Sequence, residues 1–162
     1  MCAPVEWYTL IRAGGDLRDH PEFQPWATPQ EMLAFGVFEG KYLNSTQYEY
    51  PSEWFTDARL AATPDPNLNC FGVKSRMPLS EWQACGWVHP QDPFGWFQWY
   101  ARFYLGRRSE DDARQIKRWS AFKRHSRQVA LNGGGDINCR RRQRQALLQW
   151  SHDPYPDCRW GS

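Results

Sequence analysis

Arginine is the residue this chain places where chemistry could be done. Residues 102–150 carry 13 Lys and Arg against 4 Asp and Glu, a net +9. Residues 1–101 carry 6 against 12, a net −6. The cations fall into three groups: Arg107 and Arg108; Arg114, Lys117, Arg118, Arg124 and Arg127; and Arg140, Arg141, Arg142 and Arg144. A guanidinium is a planar fork that meets phosphate through two parallel hydrogen bonds. Gln115, Gln128, Gln143 and Gln145 interleave with these arginines and can contact bases or sugars. The pattern predicts a nucleic-acid or other polyanion-binding module that uses the Arg-rich faces of the C-terminal helices. The competing role for the same charges is a solvated face with ion pairs to the acidic first hundred residues.

A second constellation is polar and buried. In the run Asp92 to Arg108, seven of the twelve residues 94–105 are aromatic. On a helix the only polar stripe there is Gln98 and Arg102, one turn apart. A buried guanidinium needs a carboxylate, and Glu39, Glu49, Glu53 and Asp57 are the candidates. Glu49, Glu53 and Asp57 lie four apart, a spacing that suits acid–base work or Mg²⁺, although Pro51 interrupts the first turn. These residues define the alternative function, a small enzyme with its site between the acidic N-terminal half and Arg102. A third alternative is an assembly protein that buries aromatic surface against a partner. Trp82, Trp87, Tyr48 and Tyr50 are the rings that could stack on bases, against the simpler expectation that they cover the core.

Other chemistries lack a pattern. His20, His89, His125 and His152 are scattered, and no Cys-x-x-Cys or His-x-x-x-His pair exists, so neither a metal nor a cofactor is expected. Cys85 and His89 are the nearest approach to a ligand pair. Gly133-Gly134-Gly135 has no Lys-Ser/Thr after it and follows a helix, which excludes a phosphate loop. No nucleophile signature such as Gly-x-Ser-x-Gly is present.

The elements that must position these residues read as helices. Thr28-Pro29-Gln30-Glu31 is a capping box with Pro at the first helical position, and Gly36 stops the helix after Phe35. Ser52 opens a helix over 53–61, and Ser80 one over 81–85. Asp92 caps the aromatic helix, which Gly106 ends. Ser109, followed by Glu110-Asp111-Asp112, starts the longest helix, which reaches Leu131. A last helix covers 138–150. Its apolar face is Ala146, Leu147 and Trp150, with Arg140, Arg141, Arg142 and Arg144 off it. The expected fold is a mainly α single compact domain of about six helices around the central aromatic helix. Residues 1–27 form a lead-in, with 5–11 either extended or a short strand; residues 28–153 are the helical core and 154–162 a tail.

The chain has 162 residues, 10 Trp and 5 Cys. An odd number of scattered cysteines points to reduced thiols and an intracellular setting. The N-terminus has no basic stretch followed by an apolar run, so no signal peptide is expected. No apolar stretch approaches the ~18 residues of a membrane span.

Three segments resemble a family of small Trp- and Arg-rich proteins: Phe38-Glu39-Gly40-Lys41-Tyr42, Asp92 to Arg108, and Arg142 to Trp150. The resemblance spans about residues 35–153. It implies a self-contained domain and carries over no activity, cofactor or site residue.

Overall fold

A computed structural model describes residues 9–10, 19–76, 79–86 and 88–158. The chain is mainly helical: α1 is Pro29–Phe35, α2 Leu79–Ala84, α3 Trp96–Tyr104, α4 Asp112–Ala121, α5 Lys123–Asn132 and α6 Arg141–Gln149. Only Phe122 separates α4 from α5, and its backbone is itself right-handed helical (φ −68°, ψ −13°). Counted as the one long run the sequence predicts, they bring the described helices to five rather than about six. The missing helix is 53–61. Only Ser52–Phe55 turns there, as a 3-10 segment. Beyond it, Arg59 N–H donates to Leu33 O and Ala61 N–H to Gly40 O, both at 3.0 Å. Those donors are spent on distant carbonyls and cannot close a local helix. The one strand pairing among the described residues is a two-residue antiparallel ladder, β1 (Thr9–Leu10) on β2 (Arg107–Arg108). The rest of the 5–11 expectation lies outside the described residues.

The chain gathers into two compact units, each built from two stretches. The first, residues 1–24 and 77–120, is organised on α3. Trp96, Phe97, Gln98, Trp99, Tyr100, Ala101 and Phe103 are all buried. Phe23 is the ring they converge on. It meets Trp99 and Tyr100 at 5.5 Å, Phe103 at 5.6 Å, Trp96 at 6.4 Å and Trp119 of α4 at 5.0 Å between centroids. Four of these five pairs are edge-to-face and the fifth is tilted, the edge-to-face arrangement being one that the ring quadrupoles favour. The cap of α3 differs from the expectation. Gly95 (φ 98°) stands at the N-cap, and Gln98 reaches back to accept from Phe94 N–H at 2.9 Å. That leaves Asp92 free for the ion pairs described below.

The second unit, residues 25–76 and 121–162, holds α1, the 3-10 turns, α5 and α6. Its core includes Met32, Leu33, Leu43, Trp54, Val129, Leu147 and Leu148. The α1 capping box forms as the sequence predicts: Thr28 Oγ1 accepts from Glu31 N–H, and Glu31 Oε1 from Thr28 N–H. Gly36 ends the helix at φ 103°, where an added Cβ would lie 2.1 Å from Leu68 O. Only glycine allows that approach. The amides of α6 then stitch the loops to the helix. Gln145 Oε1 accepts from Phe71 N–H, Gln149 Oε1 accepts from Phe38 N–H, and Gln149 Nε2 donates to Ser75 O.

Replacing Phe23 with Ala removes the shared ring of the first unit. The expected loss is about 3–5 kcal/mol of stability, read as a lowered denaturation midpoint. A change under about 1 kcal/mol would show that the aromatic cluster does not depend on Phe23.

Candidate nucleic-acid interface

The structure sorts the arginines by partner. Arg107 is buried, and its fork closes on Asp92 with both N–O distances at 2.6 Å. Asp92 is 0% exposed. Its Oδ1 also accepts from Arg102 Nη1 at 3.0 Å, and that same nitrogen donates to Gln91 O at 2.6 Å. The carboxylate supplied to Arg102 is therefore Asp92. Among the candidates the sequence offered, Glu39 pairs with Arg76, Glu49 is half-buried, and Glu53 and Asp57 are exposed. Arg108 closes on Asp19 at 2.6 and 3.1 Å and lies 3.7 Å over the Phe103 ring. Arg144, 0% exposed, grips Asp157 at 2.7 and 2.6 Å and donates to the carbonyls of Cys139, Pro154 and Asp136. Arg114 pairs with Asp111, Arg118 donates to Gln115, and Arg141 donates twice to Phe71 O. Gln115 and Gln145, two of the four interleaved amides, are fully buried.

A different set remains on the surface of the second unit. Lys123, Arg124, Arg127, Arg140 and Arg142 are exposed. Arg124, Arg127 and Arg142 form no ion pair among the described residues. Residues 121–151 hold seven Lys and Arg and a single acid, Asp136. On α5 the spacings of three and four place Arg124, Arg127, Gln128 and Leu131 on one face. Leu131 is 83% exposed. That face is linked to α6, because Gln143 Nε2 donates to Gln128 Oε1 and Gln143 Oε1 accepts from Arg140 Nη1 at 3.1 Å. Arg140 stands before α6 in the left-handed region (φ 63°, ψ 36°). This explains why α6 starts at Arg141 and not at 138. A non-glycine residue held there is strained, and such strain gathers at functional sites. Lys117 of α4 is exposed and lies in the first unit.

The second unit also buries a carboxylate in a strained turn. Phe38 and Glu39 both have φ of 53°. Glu39 N–H donates to Asn69 Oδ1 at 2.8 Å, and Glu39 Oε2 accepts from Arg76 Nε at 3.0 Å. Glu39 Oε1 is buried without a hydrogen-bond partner. The sequence offers Glu39 among four candidate carboxylates for Arg102, and in the fold its partner is Arg76 instead.

Three titrations follow from these contacts. The Arg144 fork holds the Asp157 carboxyl well below its ordinary value. Burial, then the neighbouring Cys70, pushes the Tyr155 phenol up to about 12. Burial, then the charge of Arg124, lowers the His125 imidazole, whose Nδ1 is buried without a partner.

The remaining candidates are placed as follows. Tyr48 is exposed, Tyr50 is buried and stacked on Trp54 at 5.5 Å, Trp82 is half-buried, and Trp87 lies outside the described residues. Among the described residues no group of three or more His, Cys, Asp or Glu side chains could hold a metal ion. No helix among them is long and apolar enough to cross a membrane. No protein-family model, curated protein or solved structure matches the chain.

Asp92→Asn leaves two guanidinium groups facing a neutral amide, and the expected loss is about 3–5 kcal/mol. Glu53→Gln, at an exposed carboxylate, is expected to change stability by less than about 0.5 kcal/mol. Equal effects in urea titrations would refute the assignment of Asp92 as the central anion. Acid provides an independent check. Asp157 and His125 both have lowered folded-state pKa values, so the unfolded chain binds protons first. Their stabilisation is complete above their ordinary values and is lost as pH falls, first below about 6.5 for His125 and then below about 3.8 for Asp157. Asp157→Asn should flatten the lower of the two steps in a plot of denaturation midpoint against pH.

Proposed function

We propose that the protein binds nucleic acid through the exposed α5–α6 face of its second unit. The reading rests on one observation: the arginines on this face have no carboxylate among the described residues, whereas the buried ones each have one. A chain that supplies Asp92, Asp19 and Asp157 to Arg107, Arg108 and Arg144 leaves Arg124, Arg127, Arg140 and Arg142 to water or to an external anion. Phosphate is the anion a set of planar forks fits best. The Arg107, Arg108 and Arg144 guanidinium groups belong to the scaffold under this reading, and Arg141 anchors the 71–76 loop. The interface is thereby narrower than the whole basic segment. It lies on two packed helices, which hold the side chains at set spacings.

The test is binding of labelled single-stranded and duplex oligonucleotides, measured by anisotropy at two salt concentrations. Contact with about four phosphates gives a log–log salt slope of about −3 to −4, or roughly a hundredfold loss between 50 and 200 mM. Arg124→Glu combined with Arg127→Glu should abolish binding while the circular dichroism spectrum is unchanged. Absence of binding at low salt, or undiminished binding by the charge-reversed protein, overturns the reading.

A further inference from the structure

We infer that the second unit carries a stacking platform for an unpaired nucleobase, so that the nucleic acid it takes is single-stranded. The inference rests on the nucleic-acid reading above and concerns which form of nucleic acid the unit selects. Its carrier is the Trp26–Phe35 ring pair. The two rings stack with centroids 5.8 Å apart and planes 30° from parallel, yet Trp26 is 43% exposed and Phe35 37%. Tyr155 braces the indole edge-on at 6.5 Å and leans on the buried Phe71 at 5.6 Å. The indole N–H has no hydrogen-bond partner among the described residues. Backbone contacts hold this ring in place. Trp26 N–H donates to Ser151 O at 2.7 Å, Ala27 N–H to Ser151 Oγ at 2.9 Å, and Ser151 Oγ to Ala27 O at 2.6 Å. Ser151 makes these bonds at φ 53°, where glycine would be unstrained but would supply no hydroxyl.

A cation borders the rings. Arg59 N–H donates to Leu33 O of α1, and Arg59 Cδ lies 3.1 Å from where a Cβ on Gly36 would stand. Arg59 is exposed, and its guanidinium has no hydrogen bond or ion pair among the described residues. The one acid of α1, Glu31, turns back to accept from Thr28 N–H. A nucleotide is a flat ring joined to an anion, and this surface offers flat rings beside a guanidinium. In a duplex the faces of each base are covered by its neighbours, whereas a single strand can splay a base onto aromatic side chains. Helix α6 joins the platform to the basic face. Ser151 follows its C-terminal end, and Arg140 and Arg142 stand at its N-terminal end, so the nine-residue helix sets them about 14 Å apart. At about 3.4 Å per nucleotide, a strand covers that distance with about four nucleotides.

The experiment measures anisotropy of three labelled oligonucleotides of equal length at low salt: a single strand of mixed sequence, the same strand with stable abasic residues throughout, and the duplex. Wild type should bind the intact strand about 5- to 150-fold more tightly than the abasic one, the range for one stacked base. Duplex should bind more weakly than the intact strand. Trp26→Ala should bring the intact and abasic strands within about threefold of each other, and Trp26→Phe should keep most of the difference. The wild-type comparison needs no variant, so it decides the matter even if Trp26→Ala fails to fold. Arg59→Ala should lower the salt slope for the intact strand by about 0.7, the share of one phosphate. Equal binding of intact and abasic strands by wild type, or tighter binding of duplex, overturns the inference and leaves the nucleic-acid reading standing. So does a folded Trp26→Ala protein that keeps the wild-type preference. So does self-association that Trp26→Ala abolishes with strand affinity unchanged, which would make the ring pair a contact between copies. Absence of binding to any strand or duplex overturns the nucleic-acid reading itself.

Discussion

A buried guanidinium must be matched by a carboxylate, and much of the architecture of each unit follows from that requirement. Taking either charge out of water alone is prohibitive, and the pair is tolerable only when the geometry is good and the remaining donors are satisfied. Asp92 supplies the carboxylate for Arg107 and Arg102 together. Its position gives the pairing its leverage. Asp92 precedes α3 and Arg107 follows it, so the fork ties the two ends of the aromatic helix. β2, which carries Arg107 and Arg108, is held against Asp92 and Asp19. In the second unit Arg144 performs the same task on the 153–158 segment through Asp157, and its Nη2 also closes on Asp136 O beside the glycine turn.

The same requirement gives the exposed cations their meaning. The +9 of residues 102–150 looks like one basic surface when read along the chain. In three dimensions it divides into internal pairs and a remainder in which Arg124, Arg127 and Arg142 form no ion pair among the described residues. The remainder lies among residues that supply almost no anion of their own. Amide side chains divide in parallel. Gln115, Gln145 and Gln149 are buried and satisfy backbone or carboxylate groups, while Gln128 is exposed and accepts from the half-buried Gln143. Polar residues of identical type thus serve as scaffold in one register of a helix and as surface in the next.

Local features were the legible ones. The Thr28–Glu31 capping box and the Gly36 stop formed where the sequence placed them, because their chemistry involves residues three to eight apart. The aromatic run is buried as its all-round apolar character required. Misreadings came from competition with distant partners. Asp92 has the look of a cap, but two arginines claim it and Gln98 supplies the missing acceptor. Residues 56–61 have helical spacing, but the N–H groups of Arg59 and Ala61 are drawn to Leu33 O and Gly40 O. Neither the strained Phe38–Glu39 turn, whose N–H groups bond Gln149 and Asn69, nor the left-handed Arg140 is visible in a string of residue types.

The amino-acid sequence by itself determined that the protein is mainly helical, that its aromatic run is core, and that positive charge is concentrated late in the chain. Periodicity, caps and composition carry that information within a few turns of helix. Only the tertiary structure decided which arginines have a partner. Arg108 finds Asp19 from 89 residues away, and Arg107 and Arg144 find theirs at 15 and 13. An ion pair depends on separations of a few ångströms and on exclusion of water, and neither is a property of a residue or its neighbours in sequence.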